Sequence, residues 1–174
     1  MKVAAHGFSL LELAVTLAIL LILATILVPV VRTNAARARS AACLGHLKSL
    51  GSAFSQYLGE NNMMFPTMAA GRNSREEEVP VLDVVLANYL DDAQAFACPA
   101  DTDNIATKSG TSYYYNSILS GQSLMALNFL GLTEEATRIP VLVDKESWHR
   151  GAGKPVNHLF ADGHASSELR LFAK

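Results

Sequence analysis

The chain has 174 residues, half of them hydrophobic, with a formal net charge of −2 and a pI near 6.2. That balance excludes the broad basic footprint of a general nucleic-acid binder. Because much of the apolar content lies in one N-terminal segment, the length leaves room for one membrane helix and one small soluble domain.

The chain starts with a short stretch, Met1 to Gly7, whose one side-chain cation ahead of the apolar run is Lys2. From Phe8 to Val31 the sequence is apolar except at Ser9, Glu12, Thr16, Thr25 and Pro29. At about 1.5 Å rise per residue this run spans a hydrocarbon core of about 30 Å, and it is apolar on every face, so it reads as a membrane helix. Glu12 is the conspicuous residue. An acid at the bilayer centre costs roughly 2.5–3.5 kcal/mol, and less near the interface, where Glu12 falls about one turn into the run. A plain reading lets it snorkel to the headgroups. A cleaved secretory signal is a competing reading, since Ala36-Arg37-Ala38 has the small-residue pattern, but the apolar core is too long and the leader too poor in cations.

Past Pro29 the helix is expected to continue with a changed character. Leu44, Leu47, Leu50, Phe54, Tyr57 and Leu58 recur at three- and four-residue steps, a stripe that needs a partner surface. Arg37, Lys48 and Gln56 lie on the opposite face, free for neighbours, and Arg32, Arg37 and Arg39 suit headgroups or neighbouring acids. Gly59-Glu60-Asn61-Asn62 ends the helix with residues tolerant of a left-handed cap. Phe65 to Glu78 then reads as a loop, with the charge run Arg72 to Glu78 as solvated surface. Val81 to Leu90 reads as a short amphipathic helix, and Ser112 to Asn116 and Ile139 to Asp144 as strands. Val156 to Ala161 and Ala165 to Phe172 flank Asp162-Gly163, a strong hairpin cue. The expected fold is therefore α+β: a long helix whose second half is covered by a small antiparallel sheet.

The segment Gly7-Phe8-Ser9-Leu10-Leu11-Glu12-Leu13, followed by the apolar helix, resembles the N-terminus of type IV pilins and type II secretion pseudopilins. The resemblance implies a prepilin peptidase and methyltransferase that cuts between Gly7 and Phe8 and N-methylates Phe8. It makes Glu12 the fifth mature residue, used in assembly, and puts Pro29 at mature position twenty-two, where the family commonly has a proline. The new amine at Phe8 can meet Glu12 of an axially shifted subunit in the membrane, which lowers the cost of both charges and fixes their register. The implied layout is a leader at 1–7, a pilin-like spine helix at 8–59 with 8–31 in the membrane, and an extracytoplasmic head at 60–174. The implied partners are other pilin or pseudopilin subunits, an inner-membrane assembly platform and the lipid bilayer, with no direct nucleic-acid binding. The cations after the helix, Arg32, Arg37, Arg39 and Lys48, would by the positive-inside rule place the head in the cytoplasm. The motif implies the reverse, and it is the more specific signal. A monomeric anchored extracytoplasmic domain that binds a ligand or partner is the alternative of a different class.

Cys43-Leu44-Gly45-His46, Phe96-Ala97-Cys98-Pro99 and Asn157 to His164 also resemble a bacterial subgroup of pilin-like proteins whose C-terminal signature has a histidine at a fixed distance before Asp-Gly. Here His149 is too far from Asp162 and His158 too close, so no role passes to His149. In an oxidising compartment Cys43 and Cys98 could form a disulfide worth roughly 2–4 kcal/mol, or stay as two buried thiols. Some pseudopilins hold calcium in a head loop. Asp101 and Asp103 in Asp101-Thr102-Asp103-Asn104 are calcium candidates on that analogy, but the stretch lacks an EF-hand's glycine and distal acid, and such residues more often cap turns. No cofactor is otherwise expected. His149, His158, His164, Asp144 and Asp162 show no zinc-ligand spacing. Gly121-Gln122-Ser123-Leu124-Met125 misses the nucleophile elbow at its last position, phosphate loops are absent, and the chain reads as a non-enzyme.

Overall fold

The computed structural model describes residues 9–171. One helix, α1 (Leu10–Glu60), runs unbroken through Pro29. Ser9 caps its start, the Ser9 hydroxyl accepting from the Leu11 amide at 3.3 Å. The end follows the expected chemistry: Asn62 and Met63 take positive φ of 53° and 60°, and the Met63 amide returns to the Leu58 carbonyl at 2.8 Å.

The head after α1 is a four-stranded antiparallel sheet with short helices around it. The strands β1 (Tyr113–Tyr115), β2 (Pro140–Asp144), β3 (His158–Phe160) and β4 (Ala165–Ser166) lie in chain order. Tyr113 pairs with Asp144, Val143 with His158, and Leu159 with Ala165, with a bulge between Pro140 and Leu142. Gly163, at φ 88°, turns the β3–β4 hairpin where the Asp-Gly pair was expected to.

The core lies between one face of α1 and this sheet. Cys43, Leu47, Leu50, Ala53, Phe54 and Leu58 are buried along the helix. Phe54 stacks on Tyr115 and tilts against Phe65, with ring centroids 6.1 and 6.3 Å away. Leu44 and Tyr57, from the expected stripe, are only partly buried at its margins. The long helix and the small antiparallel sheet that covers its second half make an α+β, pilin-like fold.

Three expectations are corrected. Val81 to Leu90 is not one helix but α2 (Leu82–Val85) and a separate 3₁₀ turn at Ala87–Tyr89. The break lets Tyr89 meet the spine, where its hydroxyl donates to Glu60 at 2.8 Å and its ring stands edge-on to Tyr57. β4 stops at Ser166 rather than running toward Phe172, because three-residue β3 offers it no longer edge to pair with, so Leu169 stays exposed. Arg72 is not solvated surface: its guanidinium donates to Asp83 at 2.6 Å and to the Ser109 carbonyl at 3.0 Å, and both charged side chains are nearly buried. Asp83 sits in α2, and Ser109 ends α3 (Ile105–Ser109), so this pair ties the loop to two short helices.

Candidate functional site

Two regions concentrate the chemistry, and the first is the apolar half of α1. The leader, the Gly7–Phe8 bond and the Phe8 terminus lie outside the described residues. Glu12 sits in the first turn of α1, where the helix dipole favours an acid. The segment is long and apolar enough to cross a membrane, and none of it is buried by the head. Its hydroxyls are satisfied within the helix, as a lipid environment requires: Thr16 donates to the Leu13 carbonyl at 2.9 Å and Thr25 to the Ile22 carbonyl at 2.7 Å. Pro29 lacks the amide that would continue the ladder, and its own carbonyl accepts from the Thr33 hydroxyl at 3.0 Å.

The second region is a sealed polar cluster where the spine meets the head. Cys43 comes from α1, Cys98 from the loop after the 3₁₀ turn at Ala93–Phe96, Asp144 from the end of β2, and His149 from the loop before the turn at Arg150–Ala152. All four are buried, none more than 3% exposed. The Cys43 thiol donates to Asp144 Oδ1 at 3.3 Å, Cys98 Sγ lies 3.3 Å from His149 Nε2, and that nitrogen lies 3.3 Å from Asp144 Oδ2. One donor atom from each residue lies within 4.8 Å of the other three.

Around them stands a ring of hydrogen-bond donors. The Asn157 amide donates to Asp144 Oδ2 at 2.6 Å, the Ala100 amide to Cys98 Sγ at 3.4 Å, and the Tyr113 hydroxyl lies 3.5 Å from Cys43 Sγ. Burial alone would lower the pKa of His149, but hydrogen bonding to Asp144 and Cys43 outweighs it and raises the imidazole to about 9. The Cys43 thiol is pushed up, by hydrogen bonding with Cys98 and by burial, and Tyr113 is pushed up by burial. Among the described residues His149 Nδ1 has no partner, so every polar contact they make with this ring converges on Nε2. That is not a nucleophile–base–acid relay, in which the acid must hold the opposite nitrogen from the nucleophile.

The cysteine pair of the sequence reading is thus brought together, as two free thiols. His149, to which no role could be given, and Asp144 join them. Spacing along the chain could not reveal the group, because its members come from four separate segments. The nearest signal was the pairing of Asp144 and His149 just after a strand in a chain with only two cysteines. The calcium candidates sit elsewhere. Asp101 accepts from the Ile105 and Ala106 amides at 3.0 and 2.8 Å and from the Ser112 hydroxyl at 2.8 Å, and Asp103 accepts from Trp148 Nε1 at 3.1 Å.

An exposed apolar helix that feeds a small α+β head makes a pilin-like fold and fits a membrane-anchored protein. Residues 3–28 match the family described as the prokaryotic N-terminal methylation motif. No curated protein and no solved structure matches the chain.

Proposed function

We propose that this protein is a structural subunit of a type II secretion pseudopilus or a type IV pilus-like filament. A prepilin peptidase removes residues 1–7 and methylates Phe8 at the inner membrane. The apolar half of α1 then moves from lipid into a filament of like helices, with the head on the extracytoplasmic side. Its partners are the processing enzyme, other pilin or pseudopilin subunits and the assembly platform, and no reaction is carried out by the head.

The observation that carries this reading is the methylation motif over residues 3–28, continuous with a helix whose first half has no partner among the described residues. Glu12 is the one acid in that half, and a neighbour's Phe8 amine would compensate it.

The test is the mature N-terminus. Mass spectrometry of protein recovered from host membranes should show a chain beginning at methylated Phe8. Recovery with Met1 to Gly7 attached, from cells with an active prepilin peptidase, rejects the proposal. Glu12→Val should insert normally and fail to enter filaments. Incorporation at the wild-type level would remove the acid from assembly.

A further inference from the structure

We propose that Cys43, Cys98, Asp144 and His149 form a structural zinc site that fastens the spine helix to the head. The inference stands apart from the filament reading, since it concerns how the head is built and holds for an anchored monomer as well.

The donor set comes first. Two sulfurs, one imidazole and one carboxylate are borderline-soft ligands that suit zinc and are too sulfur-rich for calcium or magnesium. The geometry agrees. Zinc bonds of about 2.3 Å to sulfur and about 2.0–2.1 Å to nitrogen and oxygen place tetrahedral ligands about 3.3–3.8 Å apart. Cys98 Sγ lies 3.3 Å from His149 Nε2, Asp144 offers one oxygen 3.3 Å from Cys43 Sγ and the other 3.3 Å from His149 Nε2, and with one donor atom taken from each residue no separation exceeds 4.8 Å. A shift of about an ångström in the longer separations closes the tetrahedron, within the reach of side-chain rotation.

The surroundings supply outer partners for three of the four ligands, all but His149, whose Nδ1 has none among the described residues. Binding deprotonates both thiols and takes the proton from His149 Nε2, so two thiolates and a carboxylate face one dication and the site carries one net negative charge. Each anionic ligand has a group beside it that can donate: the Tyr113 hydroxyl at Cys43, the Ala100 amide at Cys98, and the Asn157 amide at Asp144. Such outer partners orient ligands and spread their charge. Four protein ligands, all buried, leave no place for a water, which makes the site closed and structural rather than catalytic.

The consequence is mechanical. Cys43 is fixed in α1, while Cys98, Asp144 and His149 belong to three segments of the head. One ion therefore joins the helix that would be pulled during assembly to the sheet it carries.

The full-length chain, purified in detergent without chelators from zinc-supplied cells, should hold about one zinc per chain by elemental mass spectrometry. After the zinc is removed and cobalt(II) added, it should show the thiolate-to-cobalt charge-transfer band and the intense visible bands of tetrahedral cobalt. Cys43→Ser and Cys98→Ser should each weaken the charge-transfer band, and His149→Gln should shift the visible bands. The wild-type protein keeps the idea falsifiable if a variant fails to fold. Alkylation of the denatured wild type without reductant should label both cysteines. Labelling only after reduction means a Cys43–Cys98 disulfide and overturns the zinc site, as does a doubly labelled protein that binds neither zinc nor cobalt.

Discussion

The two halves of α1 share one backbone geometry and face opposite surroundings. Between Leu10 and Val31 the large aliphatic side chains point outward all round, with Leu10 87% and Val28 46% exposed, whereas from Ser40 to Leu58 every third or fourth residue is sealed under the head. Hydrogen bonding along the ladder is indifferent to which solvent lies outside it. The side-chain pattern alone suits the first half to lipid or to neighbouring helices and the second to its own sheet. Head stability must then reside in the second half, and the first can be altered without unfolding the head.

The sharpest way to break that contrast is a matched pair of truncations. Leu50 is fully buried against the sheet, and Leu50→Ala should destabilise the head by about 2–5 kcal/mol, the removed methyl groups plus the cavity left behind. Leu21, 67% exposed, should tolerate the same change with no measurable loss. Urea unfolding of the full chain in detergent, followed by the fluorescence of Trp148, the one tryptophan, checks both. Equal losses at the two positions would mean that the halves are energetically coupled.

The same contrast explains what could be read from the sequence and what could not. Period and solvent were legible: the all-round apolar run, the one-sided stripe from Leu44 to Leu58, and the turn at Asp162-Gly163 depend on neighbours a few residues away. The break of the Val81–Leu90 helix was not, because it follows from Tyr89 reaching Glu60 and Tyr57 on the spine. Arg72 looked like part of a charge run until the fold supplied Asp83 and the Ser109 carbonyl. Cys43, Cys98, Asp144 and His149 converge only when the helix, two loops and the end of a strand are assembled, so their chemistry is a property of topology.

Gly51 probes how closely the buried half sits on the hairpin. A Cβ there would stand 3.0 Å from both the Gly163 carbonyl oxygen and Leu159 Cδ1. The leucine methyl can rotate away, but the backbone carbonyl cannot without shifting the β3–β4 turn. Gly51→Ala should therefore cost about 1–3 kcal/mol despite the gain in helix propensity of about 1 kcal/mol. Gly45, where a Cβ meets nothing within 4 Å, is the control, and Gly45→Ala should be neutral or stabilising. A stabilised Gly51→Ala in the same urea titration would mean that the helix can lift off the turn freely.

The smallest effect is expected at the upper end of the seam, where polar contacts replace apolar ones. Ser40 meets Asn157 through long hydrogen bonds, its hydroxyl 3.5 Å from Asn157 Oδ1 and its carbonyl 3.4 Å from Asn157 Nδ2. Bonds of that length are weak, and the carbonyl contact survives removal of the hydroxyl. Ser40→Ala should cost about 0.5–1.5 kcal/mol, well below Leu50→Ala. A loss as large as that of Leu50→Ala would shift the weight of the seam from the apolar stripe to the polar junction around Asp144, to which the Asn157 amide donates at 2.6 Å.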